Sequence, residues 1–149
     1  MTIVDLLAVE HRQCDEIFTL AEDAAHNGDL ANCRTLFQQF QAAMEQHFQK
    51  EEQVLFPAFE EATGNTMGPT RVMRLEHQQM RETLTGMAST LAVGDMGNYL
   101  GEAETLLILM QQHNIKEEQI LYPMSDRFLG SVMDSVIQAM QALQPESPP

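Results

Sequence analysis

The chain is written twice. The segment from His47 to Pro57, HFQKEEQVLFP, returns at His113 to Pro123 as HNIKEEQILYP, with seven of eleven positions identical and a shift of 66 residues. The same shift carries Glu10-His11-x-Gln13 onto Glu76-His77-x-Gln79, so each single histidine precedes its partner motif by 36 residues. A two-part pattern repeated at one common offset argues for two equivalent halves related by an internal two-fold axis.

Breakers divide the chain. Asn27-Gly28-Asp29, the stretch 63–69 with two glycines, the stretch 94–97 and Asp126 separate long helical patterns. Helices are expected near 2–26, 30–61, 70–92 and 97–124, with a shorter fifth near 128–143 and a disordered tail at 145–149. Residues 1–144 are thus expected to form one domain. Pro57 and Pro123 fall late in the second and fourth patterns, where each should kink or stop its helix. Short connections between neighbours favour an all-α, up-down-up-down four-helix bundle with a short C-terminal fifth helix.

Helical spacing assigns the inward faces. In the first helix Val4, Leu7, Cys14, Phe18, Ala21 and Ala25 recur at threes and fours, and His11 fills the missing slot. The second reads Phe37, Phe40, Met44, His47, Glu51, Val54, and the third Met73, His77, Met80, Leu84, Met87, Leu91. The fourth reads Leu106, Met110, His113, Glu117, Ile120, Met124. His11 and His47 stand at similar distances from Gly28, as His77 and His113 do from Gly94, so all four histidines should share one layer.

Four imidazoles and two carboxylates buried together would cost several kcal/mol per unpaired charge, so something must compensate them. His-x-x-x-Glu sets two side chains one turn apart on one face, able to converge on one ion or on adjacent ions. The expected metal ligands are His11, His47, Glu51, His77, His113 and Glu117. This nitrogen and oxygen set suits iron, manganese or zinc better than calcium or magnesium, and lacks the thiolates of structural zinc sites. Two octahedral ions would be filled by four histidines, two bridging carboxylates and a bridging oxo or hydroxo group, except for one open position on each.

At these residues the sequence resembles the hemerythrin-like, or HHE, family, whose His-Phe-x-x-Glu-Glu motif is matched at 47–52 and echoed at 113–118. The resemblance covers residues 3 to about 125. It implies a carboxylate- and oxo-bridged centre of two iron ions, with the four histidines as terminal ligands and Glu51 and Glu117 as bridges. The oxygen-carrying members have a fifth histidine one turn after the third-helix ligand and an aspartate in the last helix. Arg81 and Glu117 stand at those places, which moves the chain toward the bacterial four-His, two-Glu branch and away from reversible oxygen carriage.

Dioxygen or nitric oxide is accordingly the expected small ligand, bound for sensing, scavenging or storage. The alternatives are repair of iron-sulfur clusters under nitrosative stress, turnover of peroxide or nitric oxide, and a purely structural metal. No nucleophilic triad is visible. A net charge of −14, from 22 acidic and 8 basic residues, argues against nucleic acid and anionic membrane surfaces as partners. No apolar run approaches the ~20 residues of a membrane span, the first ten residues lack a basic signal region, and Cys14 and Cys33 form no disulfide framework. A cytoplasmic location is expected.

Other residues receive plainer readings. His26 has no counterpart in the repeat and is expected at the surface. Glu10, Glu52, Glu76 and Glu118 lie off the seam and are expected in solvent, with a role behind the ligands as the secondary reading for the repeated pair Glu52 and Glu118. Lys50 and Lys116 are expected on solvated faces. Phe56 and Tyr122 are expected to pack over the site or against the fifth helix, with a hydrogen bond from Tyr122 toward the ligands as the secondary reading, and Cys14 to act as a small buried hydrophobe.

Overall fold

The computed structural model describes residues 1–143. The expected tail at 145–149, and residue 144 with it, lie outside the described residues. Helix α1 (Ile3–His26) is followed by α2 (Leu30–Lys50), which runs through a π-helical turn (Glu51–Leu55) into α3 (Phe56–Thr63). Helix α4 (Pro69–Ala92) comes next, then α5 (Met96–Lys116), a second π turn (Glu117–Leu121) and α6 (Tyr122–Phe128). A 3-10 turn (Gly130–Val132) leads to α7 (Met133–Ala142). The described residues are all-α. Helix α1 packs on α2 and α5, and α4 on α5 and α2, which closes the four-helix bundle. The fifth segment begins at Met133 rather than near 128, because α6 prolongs the fourth helix to Phe128.

Local chemistry sets the ends. Thr2 and Asp5 form a capping box at α1, and Asp126 accepts from the Ile3 amide at 2.7 Å, tying the start of the chain to α6. Asp29 and Asp95, one repeat apart, cap α2 and α5 through the amides of Asn32 and Asn98. Gly28 and Gly94 take φ of 71° and 77° in the two matching turns, a conformation that a Cβ disfavours.

The π turns correct the expected seam. Each begins at a motif glutamate and ends just before the proline pair, with Phe56 N–H bonding to the Glu51 carbonyl and Tyr122 N–H to that of Glu117. A π turn holds one residue more than an α turn. The inward register therefore slips by one: Leu55 and Leu121 are buried, where Val54 and Ile120 were expected, and Ile120 is 53% exposed. Pro57 and Pro123 sit at the first turns of α3 and α6, so neither stops its helix.

Two apolar clusters flank the middle of the bundle. One, toward Gly28 and Gly94, contains Phe18, Phe37, Phe40, Met87 and Leu106. The other contains Leu7, Phe59, Met73, Leu121 and the α7 residues Val136, Ile137 and Met140. The buried polar layer lies between them. No helix among the described residues is long and apolar enough to cross a membrane.

Candidate metal centre

All six residues singled out from the sequence are buried, with Glu51, His77 and Glu117 wholly so. They meet in one layer. His11 and His47, from α1 and α2, bring their Nε2 atoms to 3.1 Å, with ring centres 4.7 Å apart. His77 and His113, from α4 and α5, repeat the arrangement with ring centres 4.9 Å apart. The two carboxylates stand between the histidine pairs. Glu51 Oε1 lies 3.3 Å from His47 Nε2 and 3.1 Å from His77 Nε2. Glu117 Oε1 lies 3.0 Å from His11 Nε2 and 3.2 Å from His113 Nε2.

Donor atoms fall into two overlapping groups, Glu51, His77, His113 and Glu117 in one and His11, His47 and Glu117 in the other, each within 4.8 Å. Glu51 Oε1, Glu117 Oε2 and the Nε2 atoms of His77 and His113 make no hydrogen bond. Buried polar atoms without partners are costly, and here they point at one another. That is what a cation coordinated from all sides would satisfy, so these residues fit a metal.

The Nδ1 side of every imidazole is also built. Glu118 backs His11 at 2.8 Å, Glu10 backs His47 at 2.9 Å, Glu52 backs His77 at 2.7 Å and Glu76 backs His113 at 2.9 Å. A carboxylate at Nδ1 holds a proton there and turns the Nε2 lone pair inward, the arrangement that metal-binding histidines require.

The family comparison agrees with this chemistry. Residues 2–125 match the hemerythrin HHE cation binding domain. The chain belongs to that family. No curated protein and no solved structure matches it significantly. A buried His/Glu cluster between two repeated halves is thus the candidate cation site of a hemerythrin HHE domain.

Electrostatics reflect the packing. Burial works against the charged form of His113, but the nearby charge of Glu117 and the bond to Glu76 outweigh it and raise the pKa to about 10. His47 and His77 are raised against burial in the same way, chiefly by Glu51. Burial pushes Glu52 up, yet His77 and Arg81 win and bring it to about 2. Without a cation, the raised pKa values of His47, His77 and His113 favour protons on those three rings in its place.

Several expectations need correction. Glu10, Glu52, Glu76 and Glu118 do not simply face solvent, because each reaches across to a histidine on a neighbouring helix. A single helix's periodicity cannot reveal that reach; the repetition of all four at the 66-residue offset was the available signal. Lys50 is buried rather than solvated and pairs with Glu10, whereas Lys116 is exposed as expected and pairs with Glu76. Tyr122 does more than pack. Its hydroxyl lies 2.8 Å from Glu51 Oε2, 2.9 Å from Glu117 Oε1 and 3.1 Å from His11 Nε2.

Phe56, the repeat mate of Tyr122, stacks on His77 with centres 5.6 Å apart, the same distance as Tyr122 to His11. Arg81 turns away from the centre, forking onto Glu45 and Glu52 and covering the Phe48 ring. Cys14 is buried as expected, and burial lifts its thiol to about 11. His26 is exposed as expected.

Proposed function

We propose that this chain holds two iron ions between its halves and uses them to bind dioxygen or nitric oxide for sensing, scavenging or storage. His11 and His47 would hold one ion and His77 and His113 the other, with Glu51 and Glu117 supplying carboxylate oxygens between the two pairs. The observation that carries the reading is the convergence of these donors in a layer where four buried atoms lack any hydrogen bond. Residues 1–144 act as one hemerythrin-like domain, and two free cysteines accord with a cytoplasmic setting. Imidazole and carboxylate donors without thiolate suit iron, with zinc or manganese as substitutes.

When bound, the iron pair would supply redox-active coordination positions for a diatomic molecule. The chain's own residues prepare that place. Carboxylates at Nδ1 fix the imidazole rings, Phe48 and Phe56 cover His77 against water, and Tyr122 holds a proton at its oxygen beside both bridging carboxylates. Arg81 is engaged by Glu45 and Glu52 and contributes no fifth imidazole. This favours ligand binding with competing autoxidation over long-lived dioxygen carriage.

The test is anaerobic reconstitution with ferrous iron, metal analysis, Mössbauer spectroscopy and titration with azide and nitric oxide. Two magnetically coupled ions per chain that bind both probes are expected. One isolated ion at saturation, or coupled ions that bind neither probe, would refute the reading.

A further inference from the structure

The two halves are not equivalent where the centre faces outward. On the α2/α4 face, Arg81 joins Glu45 to Glu52 and lies over Phe48, whose ring stacks on His77 at 4.2 Å. A shift of 66 residues turns Glu45, Phe48, Glu52 and Arg81 into Gln111, Asn114, Glu118 and Asp15. The cation becomes an anion and the aromatic cover becomes a small amide. On the α1/α5 face those four residues line an open cleft of about 580 Å³. The cleft is the space that the plug fills in the other half.

Glu118 connects this cleft to the centre, since it lines the cleft and its Oε2 lies 2.8 Å from His11 Nδ1. It differs from the three other carboxylates that back a histidine. Glu10, Glu52 and Glu76 are paired with Lys50, Arg81 and Lys116, and their side chains are 18%, 21% and 20% exposed. Glu118 is 38% exposed and pairs with no lysine or arginine among the described residues.

We infer that the Asp15–Asn114–Glu118 cleft is the route by which a divalent metal ion reaches the buried centre, through the His11 side, while the Arg81–Phe48 plug seals the His77 side. The inference rests on the metal reading above. A metal ion needs the cleft more than a neutral diatomic molecule does, because it travels hydrated and needs anionic oxygens to replace its water. Asp15 and Glu118 offer those oxygens, and a cleft whose only charged lining residues, among the described residues, are acidic concentrates cations. At the sealed face the guanidinium already occupies the oxygens of Glu45 and Glu52 and lies over Phe48, which leaves neither carboxylate a free anionic oxygen for a cation.

The experiment is stopped-flow loading of the full apo chain with cobalt(II), read by its d–d absorption, with final metal content measured separately. Asp15→Arg with Asn114→Phe transplants the plug. Its loading should be slower by about tenfold or more, the scale of electrostatic steering, with the final ion count unchanged. Glu104→Arg, an equal charge change at an exposed position of α5 outside the cleft lining, should load nearly as fast as the unmodified chain. Asp15→Asn, which keeps the shape, should be slowed less and show a weaker dependence on salt.

Equal rates in the plugged and unmodified proteins would overturn the route, as would equal slowing by Glu104→Arg. A plugged variant that fails to fold leaves Asp15→Asn to decide, and an unchanged rate there counts against the route. No uptake by the unmodified chain would instead overturn the metal reading, and the route with it.

Discussion

Removing the Tyr122 hydroxyl should cost the metal-free protein more than the loaded one. In the structure that hydroxyl is wholly buried within 2.9 Å of both Glu51 and Glu117, and it can donate to only one at a time. A hydrogen bond to a charged group contributes about 1.5–3 kcal/mol. Shape is little changed in Tyr122→Phe, because Phe56 already occupies the matching place in the other half at the same ring distance from its histidine. The loss should therefore be mostly the bond.

For a chain of this size about 2–4 °C of Tm accompanies each kcal/mol, which gives a fall of about 3–12 °C for the metal-free protein. With both carboxylates coordinated, the hydroxyl is no longer needed to satisfy them, and the loaded protein should lose less than half as much. By linkage the folded variant then binds metal more tightly, by about tenfold for each 1.4 kcal/mol of difference. Paired thermal melts of apo and loaded forms, with competition by a chelator, measure both quantities. Equal losses in the two forms, or no loss in the apo form, would refute the reasoning.

Three further outcomes are expected. Glu117→Ala should reduce uptake of both ions, since Glu117 contacts both histidine pairs, whereas Cys14→Ala should leave metal content intact; metal analysis after dialysis separates the two. Glu76→Ala, which removes the carboxylate behind His113 and leaves the proposed ligands in place, should weaken metal binding by about 10–100-fold in chelator competition. The pH dependence is set by His113 and Glu52. The raised pKa of His113, about 10, gives the apo protein stability that is full below the reference value near 6.5 and is lost as pH rises toward 10. Glu52, lowered to about 2, contributes above its reference value near 4.5 and loses that contribution as pH falls toward 2. Apo stability should thus fall on both sides of mildly acidic pH, and metal loading should release protons between pH ~6.5 and 10, detectable with an indicator dye. Loading without proton release in that window would contradict the histidine assignment.

The sequence by itself determined the bundle, the internal two-fold and the six inward polar residues, because a 3.6-residue period and a 66-residue repeat are both properties of the linear order of residues. It could even show that the chain departs from its own symmetry at Arg81 and Asp15. What it could not supply was distance between helices. The carboxylates behind the histidines lie off their own helix's seam and belong to the neighbour's, so Glu10 serves His47 and Glu118 serves His11 only once the helices pack. The π turns at Glu51 and Glu117 were hidden for a related reason, since one extra residue in a turn leaves the pattern before it intact and shifts only the positions after it, from Val54 to Leu55 and from Ile120 to Leu121. That slip sets Tyr122 against both carboxylates. Packing alone also decided that one face of the centre is plugged and the other open, because whether a cleft forms depends on what four side chains from two helices fill together.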